Sequence, residues 1–422
     1  EGVQAAAEPA PVPAPAPAPA AVPAAAPVAA PVAPVVAAAP VEAVPAQAPA
    51  AAVPAPAPAV AAEALEPAVA LATAQVETLR LPGNMLGAGF ELVRLEVPNA
   101  PQLLNFLLST AFPRNAMTPK GRDLVKSTDE MQYKGGWMSA ALKEVNTVNL
   151  EGAKFAGTGS SIGDLRDCEV LDFPQAALAE QLGVEVHGIL GQPFFAEYDL
   201  DLDRYAQRLQ LYAPGQASSQ GFYSTVKHLP GLALGGGNMG VVVQGVAKDE
   251  EENAKDVSFI GLVDTGAAHT VLNWEAAKLL GYSGPSDPVL MAASKVLGAG
   301  KGGQPEEMPV ILATLALHGV PEGVKTMVHG LTKDEFDASG GKGWYFQDLT
   351  GSETSVKLGR VNVAIGDVLG LSVLGDSAVG PFTGAAAIIG QDLLFQAQRV
   401  VLNMQDKQLW LEPGDVRDQE EM

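Results

Sequence analysis

The sequence predicts a β-hairpin body that carries one folding unit twice, preceded by an extended Ala/Pro-rich tail. Three observations predict it. Residues 1–79 are almost entirely Ala, Pro and Val, with six Glu and no Lys or Arg. Two stretches, around residues 90–111 and 241–266, share a pattern of hairpin, aliphatic strand and small-residue turn. Two later stretches, 187–212 and 387–411, share a second pattern in the same order.

The tail comes first. Proline fixes φ and removes backbone donors, and alanine offers too little side chain to build a core. Residues 1–79 are therefore expected to be a disordered, semi-rigid tether of polyproline II character. Its prolines leave no uninterrupted apolar run of about 18 residues, so no membrane span is expected. It lacks the basic start of a secretory signal. The remaining 42 acidic and 26 basic residues give the body a net charge of −16, which repels phosphate backbones and argues against nucleic acid as a partner. Cys168 is the single cysteine, which rules out an intramolecular disulfide and a thiolate cluster. His187, His228, His269, His318 and His329 show no metal-ligand spacing and read as surface or core residues, so neither a metal nor another cofactor is expected.

The first unit opens with "FELVRLEV" at 90–97, a turn at 98–101 and an aliphatic strand at 103–108 that ends in Ser109-Thr110-Ala111. The second has a β-rich run at 241–246, a polar loop at 248–256 and a strand at 258–263 that ends in Asp264-Thr265-Gly266. Both read as hairpins followed by a tight loop. "LLNFLLSTAFPRNAMTP" then lies over "VSFIGLVDTGAAHTVLNW", with Ser109 on Asp264, Thr110 on Thr265 and Ala111 on Gly266. Each unit closes alike: "HGILGQPFFAEYDLDLDRYAQRLQLY" at 187–212 matches "AIIGQDLLFQAQRVVLNMQDKQLWL" at 387–411. Gly191 follows Ser109 by 82 residues and Gly390 follows Asp264 by 126, so the second unit holds roughly forty extra residues, expected within 320–380. Two matched signals in one order indicate an internal duplication.

Asp-Thr-Gly-Ala after an aliphatic strand, then "IIGQDLL", resembles the retropepsin-like aspartic peptidases, and two such units on one chain resemble the pepsin arrangement. The resemblance covers most of residues 84–412. It implies an all-β bilobal aspartic-peptidase-like (acid protease) fold, with a degenerate lobe at 84–216 and an Asp-Thr-Gly lobe at 222–415. It further implies a cleft between the lobes, one Asp from each on its floor, and a hairpin flap above. In such a site one ionised carboxylate takes a proton from water while its protonated partner polarises the scissile carbonyl. Asp264 would be the catalytic residue. Thr265, Gly266 and Ala267 would support the catalytic loop, and Ile389 and Gly390 would pack beneath it. Ser109, Thr110 and Ala111 form the degenerate partner site.

Serine does not ionise in the working range, so Ser109 cannot act as the second acid or base. A lone Asp264 is expected to titrate near the ordinary value of about 4 unless burial raises it. Two functional readings follow. One is an aspartic-type endopeptidase, a hydrolase acting on a peptide or protein substrate through water activated on Asp264. It would be weak, or dependent on a homodimer that brings two Asp264 residues together. The other is a catalytically inactive homologue that serves as a peptide-binding or scaffold protein. For localisation, a basic-free tail, the absence of an initial Met and a single Cys fit a processed organelle protein such as a plastid (chloroplast) one, and fit a bacterial cell-envelope protein on a Pro/Ala linker as well.

Weaker motifs remain. "GGGNMG" (235–240) leads into a strand and reads as a linker turn, not a dinucleotide loop. "GAGKGG" (298–303) falls where a flap would sit, and "GTGSSIG" (157–163) is its expected counterpart. "GKGWYFQD" (341–348) belongs to the insertion, and the acidic run at 249–253 reads as a loop tip.

Overall fold

The computed structural model describes residues 69–83, 85–125, 130–134, 144–219, 226–248, 254–300, 304–320, 355–376 and 384–414, all within one compact unit. The first lobe runs through β1 (Ala72–Arg80), β2 (Gly89–Glu96), β3 (Leu104–Leu108), β4 (Ala116–Met117), β5 (Glu130–Lys134), β6 (Glu144–Phe155), β7 (Ser161–Val170), β8 (Gly188–Leu190), β9 (Asp199–Asp203) and β10 (Arg208–Tyr212). The second runs through β11 (Lys227–Pro230), β12 (Leu232–Ala233), β13 (Met239–Lys248), β14 (Ala254–Val263), β15 (Val271–Leu272), β16 (Lys295–Ala299), β17 (Pro305–His318), β18 (Ser355–Ile365), β19 (Ala386–Ile389), β20 (Ala397–Asn403) and β21 (Gln408–Pro413). The helices among the described residues are short and sit between strands.

The duplication is explicit in the pairing. In the first lobe β3 lies parallel to β8, while β4 inserts antiparallel to β8 and parallel to β7. In the second, β14 lies parallel to β19, while β15 inserts antiparallel to β19 and parallel to β18. These crossed strands are buried on both faces, which is why 104–108 and 259–263 read as continuous apolar runs. Between the lobes lies a six-strand segment in the order β11-β21-β20-β9-β10-β1, which reads the same from either end once the lobes are exchanged. Its centre is the antiparallel β9–β20 pair, where Asp201 faces Val401. This is the all-β, two-lobed aspartic-peptidase-like architecture.

Five expectations need correction or placement. β1 starts at Ala72, inside the segment expected to be tether, and buries Ala72, Ala74 and Val76 between β10 and β2. In sequence, the last proline of the tail is Pro67, five residues before β1; residues 1–68 lie outside the described residues. "GTGSSIG" is not a flap: it is the β6–β7 turn, with left-handed Gly157 and Gly159, and the start of β7, with left-handed Gly163. The hairpin equivalent to β16–β17 is β5–β6, whose turn lies outside the described residues. The extra length of the second lobe falls between β17 and β18, at 319–354, where the first lobe has 156–160. That places "GKGWYFQD" outside the described residues, as is the acidic tip at 249–253. "GGGNMG" is a single 3₁₀ turn entering β13. No helix among the described residues is long and apolar enough to cross a membrane.

Candidate functional site

Each crossed-strand motif ends in a loop, and the two loops meet on the pseudo-two-fold axis. β3 delivers Ser109 and β14 delivers Asp264. The Ser109 N–H donates to Leu190 O at 3.0 Å, and the Asp264 N–H to Ile389 O at 3.1 Å, so each loop hangs from its β8 or β19 strand. Behind them the threonines interlock. Thr110 Oγ1 donates to Val263 O (2.8 Å) and accepts from the Thr265 N–H (3.2 Å). Thr265 Oγ1 donates to Leu108 O (3.0 Å) and accepts from the Thr110 N–H (3.2 Å). Both threonines are buried, and the four bonds satisfy backbone groups that the tight loops would otherwise strand.

At the front, Ser109 Oγ donates to Asp264 Oδ1 at 2.9 Å, and the Gly266 N–H donates to the same oxygen at 2.8 Å. Ser109 Oγ accepts the Phe112 N–H at 3.2 Å. A Cβ on Gly266 would collide with the Ser109 side chain, so the close approach of the loops requires glycine there. Ala111, on the first lobe, occupies the matching position, and its N–H helps to hold the Asp264 carboxylate. Burial pushes the Asp264 pKa above the ordinary carboxylate range, while the Gly266 N–H, the Ser109 hydroxyl and the Ala111 N–H pull it back down. This is the exception that the sequence reading allowed, in which burial raises the value: desolvation outweighs the donors.

The remaining predicted residues are close by. Ala267 O accepts the Gln391 N–H at 2.8 Å, matched in the first lobe by Phe112 O and the Gln192 N–H at 2.8 Å. Gly390 caps the helix Gln391–Leu394 and packs against the backbone of His269, where a Cβ would not fit. Its N–H donates to Thr270 Oγ1 at 3.1 Å. Ile389 ends β19 beside Val263.

Four contributors were not singled out from sequence. Gln391, fully buried, donates from Nε2 to Thr265 O (2.7 Å) and to Glu91 Oε2 (3.0 Å), joining the Asp264 loop to β2 of the other lobe. Arg204 completes this link, donating to Glu91 Oε1 at 2.7 Å and to Gln391 Oε1 at 3.2 Å. Asp392 holds the loop from below, accepting from the Thr270 N–H (2.8 Å) and hydroxyl (2.6 Å), and burial raises its pKa to about 6. Gln175, from the helix Pro174–Gln181, donates to Gly266 O at 3.4 Å, and its Oε1 is buried without a partner. The shared Gly-Gln pair is the one sequence signal that marks Gln391. The bonds that tie in the other three span 91–187 residues.

None of the described histidines is a hydrogen-bond partner of the Asp264 or Ser109 side chain. His187 is buried and its Nδ1 accepts the Asn105 N–H at 2.9 Å, and burial lowers His269 to a pKa of about 4. No group of three His, Cys, Asp or Glu among the described residues could hold a metal. Cys168 is buried, with its thiol pushed up to about 12.

No protein-family model matches the chain, and no curated protein sequence matches it. Among solved structures, the chain is similar to basic 7S globulin from soybean, with 9% identity, 78% of this chain and 93% of that one covered, and a TM-score of 0.39. It is also similar to conglutin gamma, a basic 7S globulin from lupine seeds, with 12% identity, 82% and 96% covered, and a TM-score of 0.38.

Proposed function

We propose that this protein keeps the two-lobed peptidase architecture as a peptide-binding module and does not hydrolyse the peptide. The observation that carries the reading is the 2.9 Å hydrogen bond from Ser109 Oγ to Asp264 Oδ1, at the place where a second carboxylate would stand. Hydrolysis by this route needs an acid and a base that exchange one proton. Asp264 can supply one of them. The Ser109 hydroxyl stays protonated across the working range and cannot take the alternate role. Nor is Ser109 equipped as a nucleophile: its hydroxyl proton goes to Asp264, and no histidine or lysine among its hydrogen-bond partners could activate it. A homodimeric pairing of two Asp264 residues is disfavoured as well, because the loop of Ser109 from the same chain fills the facing position.

The test is cleavage of a mixed peptide library between about pH 3 and 7, together with binding of the same library to the immobilised full chain. The expected result is binding, with cleavage no greater in the parent than in Asp264→Asn. Ser109→Asp with Ala111→Gly restores the like-charge pair, and cleavage should rise by at least ~10²-fold, the gain typical of one well-placed acid–base group. Parent cleavage that disappears in Asp264→Asn would establish the peptidase reading instead. Absence of any peptide binding would remove the proposal.

A further inference from the structure

The pseudo-two-fold axis gives residues near the central sheet a counterpart, and one set of counterparts differs in chemical kind. On one side Arg204, in the β9–β10 turn, fills the crevice beside the helix Gln391–Leu394. Its Nε meets Glu91, its Nη1 donates to Leu394 O (2.5 Å) and Ala397 O (3.0 Å), and its guanidinium lies 4.7 Å from the centre of the Phe395 ring. On the other side the β20–β21 turn puts Met404 in the place of Arg204. Met239 stands in the place of Glu91, and Gln192 keeps the place of Gln391. Two thioethers have replaced an ion pair, and the crevice is not filled. It is a solvent-open cavity of about 360 Å³, whose lining includes Pro113, Gln192, Pro193, Ala196, Met404 and Lys407. That volume falls in the range of small-molecule sites.

Lys407 gives the cavity its one charge. It is half-buried, and its Nζ donates to Gly237 O at 2.7 Å and to Met404 O. Among the described residues no carboxylate lies within ion-pair distance of it, although the chain carries a net charge of −22. Burial lowers its pKa, with no anion to offset the cost. An ammonium facing only carbonyls, at a mostly apolar cavity, is matched by a ligand with one anionic head and an apolar body.

We propose that the cavity between the β20–β21 turn and the helix Gln192–Glu197 binds a small monocarboxylate, its alkyl or aryl body against Pro113, Pro193, Ala196 and Met404 and its carboxylate on Lys407 Nζ. The site is separate from the Asp264 loop and does not depend on peptide binding there.

The test uses the full chain with ¹³C-methyl methionine. The Met404 signal is assigned with Met404→Leu and then followed in titrations with hexanoate and with the neutral isostere hexanamide. Hexanoate should shift the Met404 methyl saturably, and hexanamide should bind about tenfold more weakly or worse, as expected for loss of a charge-assisted bond. Lys407→Gln should weaken hexanoate by a similar factor and leave the melting temperature unchanged. Glutamine is tolerated in this backbone, since the counterpart Gln207 has φ +50° where Lys407 has +56°. No saturable shift up to about 20 mM hexanoate would overturn the proposal. So would equal affinity for acid and amide, or hexanoate binding that Lys407→Gln leaves intact.

Discussion

At the scale of single residues, the site is defined by what surrounds each carboxyl. Asp264 and Asp392 both titrate above the ordinary range because burial penalises the charge more than the local donors reward it. The consequence for stability has a definite sign. A carboxyl whose folded pKa exceeds its unfolded value binds its proton more tightly when folded, so its contribution is complete below about pH 4 and is lost as pH rises through the folded value. For Asp392 that window runs from the ordinary value of 3.8 to about 6. Asp392→Asn removes the titration. The parent should therefore lose on the order of 2 kcal/mol relative to Asp392→Asn between pH 4 and 7, read by urea denaturation at each pH. His269 acts the other way: its folded value of about 4 means that its contribution is lost as pH falls below 6.5. The comparison with Asp392→Asn cancels that background. A difference that stays flat with pH would show that Asp392 is ionised throughout. Of these groups, the sequence made Asp264 conspicuous through its strand and motif. Asp392 stands inside the "IIGQDLL" stretch, but nothing local gives its pKa, which is set by burial and by Thr270, 122 residues away.

At the scale of elements, the two loops are held by one another more than by their own strands. Thr110→Val keeps the shape of the side chain but leaves the Thr265 N–H and Val263 O without partners in a dry interior. The expected cost is about 2–4 kcal/mol, from two stranded backbone groups. Thr265→Val should cost the same, since its contacts mirror those of Thr110. The double variant should cost less than the two together, because both changes break one interlock. Fully additive losses, measured by urea denaturation, would mean that the loops do not act as a unit. The elements that form this interlock were legible because hairpin, strand and loop recur with fixed spacing in both halves. The flap was misread for a related reason. Glycine-rich turns look alike in sequence, and only the pairing of β6 with both β5 and β7 tells which turn is which. β1 was missed because its buried residues are Ala72, Ala74 and Val76, two of them too small to stand out from an alanine-rich tail.

At the scale of the whole molecule, the lobes are joined by the six-strand segment, by one buried ion pair that crosses between them, and by a second ion pair within the first lobe whose arginine also bonds to the other lobe. Arg399 of β20 donates from Nε to Asp201 of β9 at 2.6 Å, close to the axis, and Arg204 holds Glu91 beside Gln391. Glu91 and Asp201 are almost fully buried, so Arg204→Ala would leave a desolvated carboxylate unpaired at a cost of about 3–5 kcal/mol. Glu91→Gln in the same chain should recover part of that loss by removing the charge. Failure of this rescue would mean that Arg204 acts through its bonds to Leu394 O, Ala397 O and Gln391 and its packing on Phe395. The outermost strand of the segment offers a sharper check on where the fold begins. β1 pairs with β10 at four positions and with β2 at five, so it ties the inter-lobe segment to the first-lobe sheet. Removing it exposes the edge of β10 and uncovers the apolar face that Ala72, Ala74 and Val76 help to close. A chain lacking residues 1–80 should therefore melt roughly 5 °C below a chain lacking residues 1–68, corresponding to about 3–4 kcal/mol for a body of this size. Calorimetry on the two truncations decides the matter: equal melting temperatures would show that β1 stands outside the cooperative fold, and that the structured body starts at residue 80, as the composition of the tail suggests.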